Sequence, residues 1–162
     1  MQILKHTNYM KANSISFFIF VIFSIGLSLN SCKKNKKCDE TKISSVSENS
    51  HNSGQNCMSC HYSEGKGEGC FNAAGSLFSS GGSNLSSGKI ILYTAPNGGG
   101  TAKYTITVDQ SGNFYSTENI DVSGLYPAAF GPTGEVHYMS SPISSGACNS
   151  CHGVSTGKIW SK

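Results

Sequence analysis

Arginine is missing altogether from this chain, and charged residues of every kind make up only 13% of it. Without arginine there is no planar fork to grip phosphate, and the lysines form no basic face, so nucleic-acid binding has no support. Long apolar runs are scarce too. The one extended run, Ile15 to Leu29, has 15 residues, short of the roughly 20 that a membrane-spanning helix needs. Apolar residues are also few between Lys33 and Asn56. This Ser-, Asn-, Lys- and Glu-rich stretch cannot bury enough surface to fold alone and reads as a flexible tether.

The apolar run has the surroundings of an export signal. Lys5 and Lys11 precede it, and it closes on Leu29-Asn30-Ser31-Cys32, with small or polar residues ahead of a cysteine. That ending resembles the lipobox of bacterial lipoproteins, matching at Leu29, Ser31 and Cys32 and departing at Asn30, where a small residue is more usual. The resemblance implies that residues 1–31 are a lipoprotein signal peptide, that Cys32 is lipidated, and that the exported product is anchored to a membrane by the lipid. Lys33 after the cysteine implies sorting to the outer membrane, on its periplasmic side or at the cell surface. An ordinary cleaved signal and an uncleaved anchor are the alternatives. Beyond residue 31, ten lysines face nine acidic residues; four of the ten, Lys33, Lys34, Lys36 and Lys37, form a solvated run beside Cys32, which leaves the body net acidic.

What the chain does have is a repeated pentad. Cys57-Met58-Ser59-Cys60-His61 and Cys148-Asn149-Ser150-Cys151-His152 both read C-x-x-C-H. That spacing sets two thiols about one helical turn apart, each able to form a thioether at one edge of a haem, with an imidazole next in line for the iron. With seven Cys and five His in the chain, chance would place on the order of 0.01 such pentads. A redox dithiol and a Cys/His zinc site are the competing readings of C-x-x-C. The sequence is thus expected to carry two c-type haems on Cys57, Cys60, Cys148 and Cys151, with His61 and His152 as axial iron ligands. Haem attachment of this kind takes place outside the cytoplasm in bacteria, in agreement with the export signal.

The remaining Cys, His and Met residues divide by position. Cys38 and Cys70 are left over and bracket the first pentad, so in an oxidising compartment they are candidates for a disulfide or stay as free thiols. His51 lies ten residues ahead of His61, and extended chain covers up to about 3.3 Å per residue, so it can reach the opposite face of the first haem as sixth ligand. The second haem has two claimants. His137 and Met139 lie two residues apart, on one face of an extended segment ahead of Cys148, and only one can bind the iron; His137 is the expected ligand, since a His then precedes each pentad, with Met139 the alternative and an open position the third possibility. His6 falls within the signal, and Met58 is expected to face away inside its own pentad.

Between the pentads the rhythm changes. Gly75–Phe78, Lys89–Tyr93, Lys103–Val108, Phe114–Tyr115, Tyr126–Phe130 and Glu135–Met139 are short β-prone runs separated by Gly-, Pro- and Asn-rich turns. In the third run Tyr104, Ile106 and Val108 alternate with Lys103, Thr105 and Thr107. The pattern predicts a mainly β fold, a small antiparallel sandwich flanked by two short haem-binding segments. The order Gly75–Phe78, Ser87–Leu92, Val108-Asp109-Gln110-Ser111-Gly112-Asn113-Phe114, then Leu125-Tyr126-Pro127 resembles a carboxypeptidase-regulatory-like (prealbumin-like) domain, which implies that Phe114 enters the core. With its pentads, the stretch from Gln55 to Ile159 is similar to small exported dihaem cytochromes that carry such a sandwich as an insert. The expected organisation is a signal over 1–31, a tether over 32–54, a first haem segment over 55–71, a sandwich over 72–140 and a second haem segment over 141–162.

These features point first to electron transfer between redox proteins of the envelope, with the iron supplying the chemistry and the chain supplying ligands, burial and orientation. A small haem peroxidase or ligand sensor would need an open position at the second iron, and no acid, base and arginine set is present to cleave a peroxide bond. A surface binding module with structural haems rests only on the Tyr- and Gly-rich loops.

Overall fold

In the strand Ala102–Thr107 the alternation holds residue by residue: Ile106 is buried and Tyr104 half-buried, while Lys103, Thr105 and Thr107 face solvent. The computed structural model describes Cys38 and residues 49–162; the signal segment, the lipidation site Cys32 and most of the tether lie outside the described residues. Within them the protein is mainly β. Its strands are β1 (Ala73–Ser76), β2 (Phe78–Ser79), β3 (Lys89–Tyr93), β4 (Ala102–Thr107), β5 (Asn113–Ser116), β6 (Tyr126–Phe130), β7 (Val136–Tyr138), β8 (Gly146–Ala147) and β9 (Trp160–Ser161). No helix among the described residues is long and apolar enough to cross a membrane.

Four strands form an antiparallel sheet in the order β4-β3-β6-β7, and three form a second sheet in the order β5-β1-β8. One core lies between them. Ile90, Leu92, Ile106 and Ala129 come from the larger sheet and Ala73, Leu77 and Phe114 from the β1 and β5 side. Phe114 enters this core, only 1% exposed; full burial of such a side chain stabilises a fold by about 1.5–3 kcal/mol. Because strand side chains alternate, the next residues turn to the other face of the smaller sheet. There Ala74 and Tyr115 pack with Phe71, Cys57 and Met58 in a second cluster. Met58 therefore serves that cluster.

Two features differ from the expected layout. The last segment is not an appendage: β8 pairs in parallel with β1 and β9 in parallel with β2, so residues 141–162 complete the sheets. Strands of two residues are too short to leave a periodic signal. The end of the tether is also fixed, since Ser53 Oγ donates to the Ser111 carbonyl at 2.8 Å and Gly54 N–H donates to Ser76 Oγ at 2.8 Å. Cys38 and Cys70 are joined as a disulfide, with Cα atoms 4.9 Å apart and 32 residues of separation. Closing a loop of that length stabilises a chain by about 3–4 kcal/mol on the entropic account.

Candidate functional site

The two pentads fold alike, contact by contact. Cys57–Ser59 and Cys148–Ser150 are single 3₁₀ turns. In the first, the N–H groups of Cys60 and His61 both donate to the Cys57 carbonyl at 3.1 Å; in the second, those of Cys151 and His152 donate to the Cys148 carbonyl at 3.3 and 3.0 Å. Ser59 Oγ donates to the Asn56 carbonyl at 2.7 Å and Ser150 Oγ to the Ala147 carbonyl at 2.6 Å. The leading thiols each donate two residues back, Cys57 to the Gln55 carbonyl at 3.6 Å and Cys148 to the Gly146 carbonyl at 3.5 Å. Two stretches 91 positions apart thus adopt one local design.

The histidines continue the correspondence. His61 Nδ1–H donates to the Glu68 carbonyl at 2.7 Å and His152 Nδ1–H to the Gly157 carbonyl at 2.8 Å. His51 Nδ1–H donates to the Asn49 carbonyl at 2.8 Å. A backbone acceptor on Nδ1 fixes the tautomer that leaves Nε2 as a lone-pair donor, the arrangement usual for a metal-bound imidazole. At Gly67 the loop passes so close to His61 that a Cβ there would lie 2.6 Å from Nδ1. Glycine is what lets the chain close around the ring.

His51 and His61 face each other, with ring centroids 6.1 Å apart and planes tilted by 35°. The pair lines a cleft of about 590 Å³ with Cys57, Cys60, Phe71 and Tyr115. His61 stacks on Phe71 at 4.0 Å and Phe71 on Tyr115 at 4.8 Å, which carries the imidazole plane down onto the smaller sheet.

The second pentad borders a cleft of about 350 Å³ lined by Ile90, Phe114, Ala129, His137, Met139 and Trp160 along with Cys148, Cys151 and His152. It reaches the main core, where Cys148 packs. Both claimants for the second iron are therefore at the site, but they are held differently. His137 Nε2–H donates to Glu135 Oε1 at 3.0 Å, and its ring leans on Trp160 with centroids 4.1 Å apart. In His51, His61 and His152, the other histidines among the described residues, it is Nδ1 that is engaged and Nε2 that is left free. Met139 is fixed by its N–H, which donates to the Pro127 carbonyl at 2.9 Å.

The competing uses of C-x-x-C fit less well. A redox dithiol needs a leading thiol of lowered pKa. Here burial pushes the Cys57 thiol up, and burial, with a smaller addition from the neighbouring Cys57 and Cys151 thiols, pushes Cys148 up to about 12. Neither pair is closed as a disulfide, whereas Cys38 and Cys70 are. Among the described residues no three His, Cys, Asp or Glu side chains converge as a zinc site requires. The donor set at each pentad, two unpaired thiols beside an apolar cleft and an imidazole with Nε2 free, fits a covalently attached haem.

A buried polar chain, invisible in the spacing, joins the two sites. Asn149 Oδ1 accepts the Ser76 N–H at 2.9 Å, Ser76 Oγ–H donates to Asn113 Oδ1 at 2.6 Å, and Asn113 Nδ2 donates to the His51 carbonyl at 3.0 Å. The only sequence trace of it is the Asp109–Asn113 turn, in which Asp109 Oδ1 accepts the N–H groups of Ser111 and Asn113 at 2.9 Å each. Comparison with family models, with curated proteins and with solved structures finds no match to this chain.

Proposed function

We propose that the protein is a lipid-anchored dihaem c-type cytochrome that passes single electrons between redox proteins of the bacterial cell envelope. The observation that carries this reading is the duplicated pentad geometry, each copy ending in a histidine whose Nδ1 is held by a backbone carbonyl. When bound, haem iron supplies one-electron chemistry. Cys57 and Cys60, and Cys148 and Cys151, would hold the two porphyrins, His61 and His152 would each hold an iron, and His51 would be a second ligand to the first. Phe71 and Tyr115 at one cleft, and Ile90, Phe114 and Ala129 at the other, exclude water and fix orientation. Anchoring through Cys32 rests on the lipobox resemblance.

The test is a pyridine haemochrome assay with intact mass on exported protein. Two covalent haems per chain with low-spin spectra are expected; colourless protein of unmodified mass would sink the proposal.

For the second iron the engaged Nε2 of His137 favours Met139, so the pair would combine a bis-histidine iron with a His/Met iron of higher potential. Met139→Ala is expected to lower the potential of one haem and let one haem per chain bind carbon monoxide when reduced. His137→Ala should leave both irons low-spin. The reverse pattern would assign His137, and carbon monoxide binding by the unaltered protein would instead favour the ligand-sensing or peroxidase reading.

A further inference from the structure

We infer that Asn113 is a positioning residue for the sixth ligand of the first iron: its side-chain amide holds the backbone of His51 where the imidazole faces His61. The inference rests on the dihaem reading above and deepens it. The His51 side chain is exposed, and beyond the bond of its Nδ1–H to the Asn49 carbonyl its position is set by the chain on either side. On one side, Asn113 Nδ2 donates to both the His51 carbonyl at 3.0 Å and Ser50 Oγ at 2.9 Å. On the other, Gly54 N–H donates to Ser76 Oγ, whose own hydroxyl proton goes to Asn113 Oδ1. One amide therefore bears on both ends of the stretch from Ser50 to Gly54, which Ser53 also ties to the Ser111 carbonyl.

That amide is itself immobile. Asn113 is 2% exposed and Ser76 is 1% exposed, each with its hydrogen bonds made inside the protein. The Asn113 N–H is tied to Asp109 Oδ1 at 2.9 Å and its place in β5 is set by pairing with Ser76 in β1. A buried amide costs stability unless it is satisfied, and once satisfied it fixes geometry more tightly than apolar packing does. What the amide gains is a rigid grip on the segment that carries His51.

The experiment compares the full-length exported protein with Asn113→Asp, Asn113→Ala and His51→Ala, using haem count, electron paramagnetic resonance and carbon monoxide titration of the reduced state. Asp keeps the shape but replaces the donor facing the His51 carbonyl with an acceptor, and Ala removes the group without adding charge. Both are expected to reproduce His51→Ala: two haems still attached, one of them high-spin and binding carbon monoxide, and low-spin character restored by added imidazole. Two low-spin haems with unchanged g-values and no carbon monoxide binding in both variants would overturn the inference. So would failure of Asn113→Ala to load haem under conditions where His51→Ala loads two, because Asn113 would then be serving the fold as a whole. A wild-type protein without haem would instead sink the dihaem reading itself.

Discussion

Removing both thiols of the second pentad, in Cys148→Ala with Cys151→Ala, is expected to halve the haem per chain and to cost more stability than the same change at Cys57 and Cys60. The reason lies in which surface each site covers. The second cleft opens onto Ile90, Phe114 and Ala129, residues of the main core between the two sheets. The first lies on the outer cluster of Phe71, Ala74 and Tyr115. Every 100 Å² of apolar surface taken out of water is worth about 2.5 kcal/mol, and a core left open at one end loses that and its packing together. Haemochrome quantification and thermal unfolding of the two double variants decide the matter. Equal losses of stability would mean that the second site is no more part of the core than the first.

The second large effect is expected at Gly75, the residue on which the second pentad rests. A Cβ there would lie 2.5 Å from the end of the Phe114 ring, 2.8 Å from Asn149 Oδ1 and 2.9 Å from the Cys148 Cβ. None of these neighbours has room to withdraw: Phe114 is 1% exposed and Asn149 3%. Gly75→Ala should therefore push the 3₁₀ turn at Cys148 off β1, break the bond from Ser76 N–H to Asn149, and destabilise the protein by about 3 kcal/mol, the upper end for overpacking by one methyl. A denaturant melt gives the loss, and the haem count gives its local consequence, since the second site should load poorly while the first loads normally. Wild-type stability in this variant would mean that the loop does not bear on the glycine.

Much of the fold was legible because its strands carry their own signal. Lys89–Tyr93 and Tyr126–Phe130 stand where the β-prone runs end at Gly and Pro turns, and the Tyr104, Ile106, Val108 alternation marks which face of β4 is inside. The pentads were legible as a repeated short spacing, and the approach of His51 to His61 as a short distance along the chain. What spacing cannot carry is pairing between distant segments. The parallel partners of β1 and β2 come from the last residues of the chain, and nothing in Gly146-Ala147 or Trp160-Ser161 announces them. Spacing does not separate His137 from Met139 for a related reason: a period of two puts both on one face, and the contact of the His137 ring with Glu135 on that same face leaves no periodic trace. Asn113, Ser76 and Asn149 were missed because a buried hydrogen-bond chain leaves no period at all.

The parallel pairing of the last strands also dictates an order of events. β1 meets its partner β8 only after some seventy further residues have emerged, and β2 waits for Trp160, two places from the end. Contacts of such long sequence separation form late, since the intervening chain must be closed into a loop before they contribute. The β3-β4 hairpin can therefore settle first, whereas β1 and β2, beside the second pentad, acquire their parallel partners late.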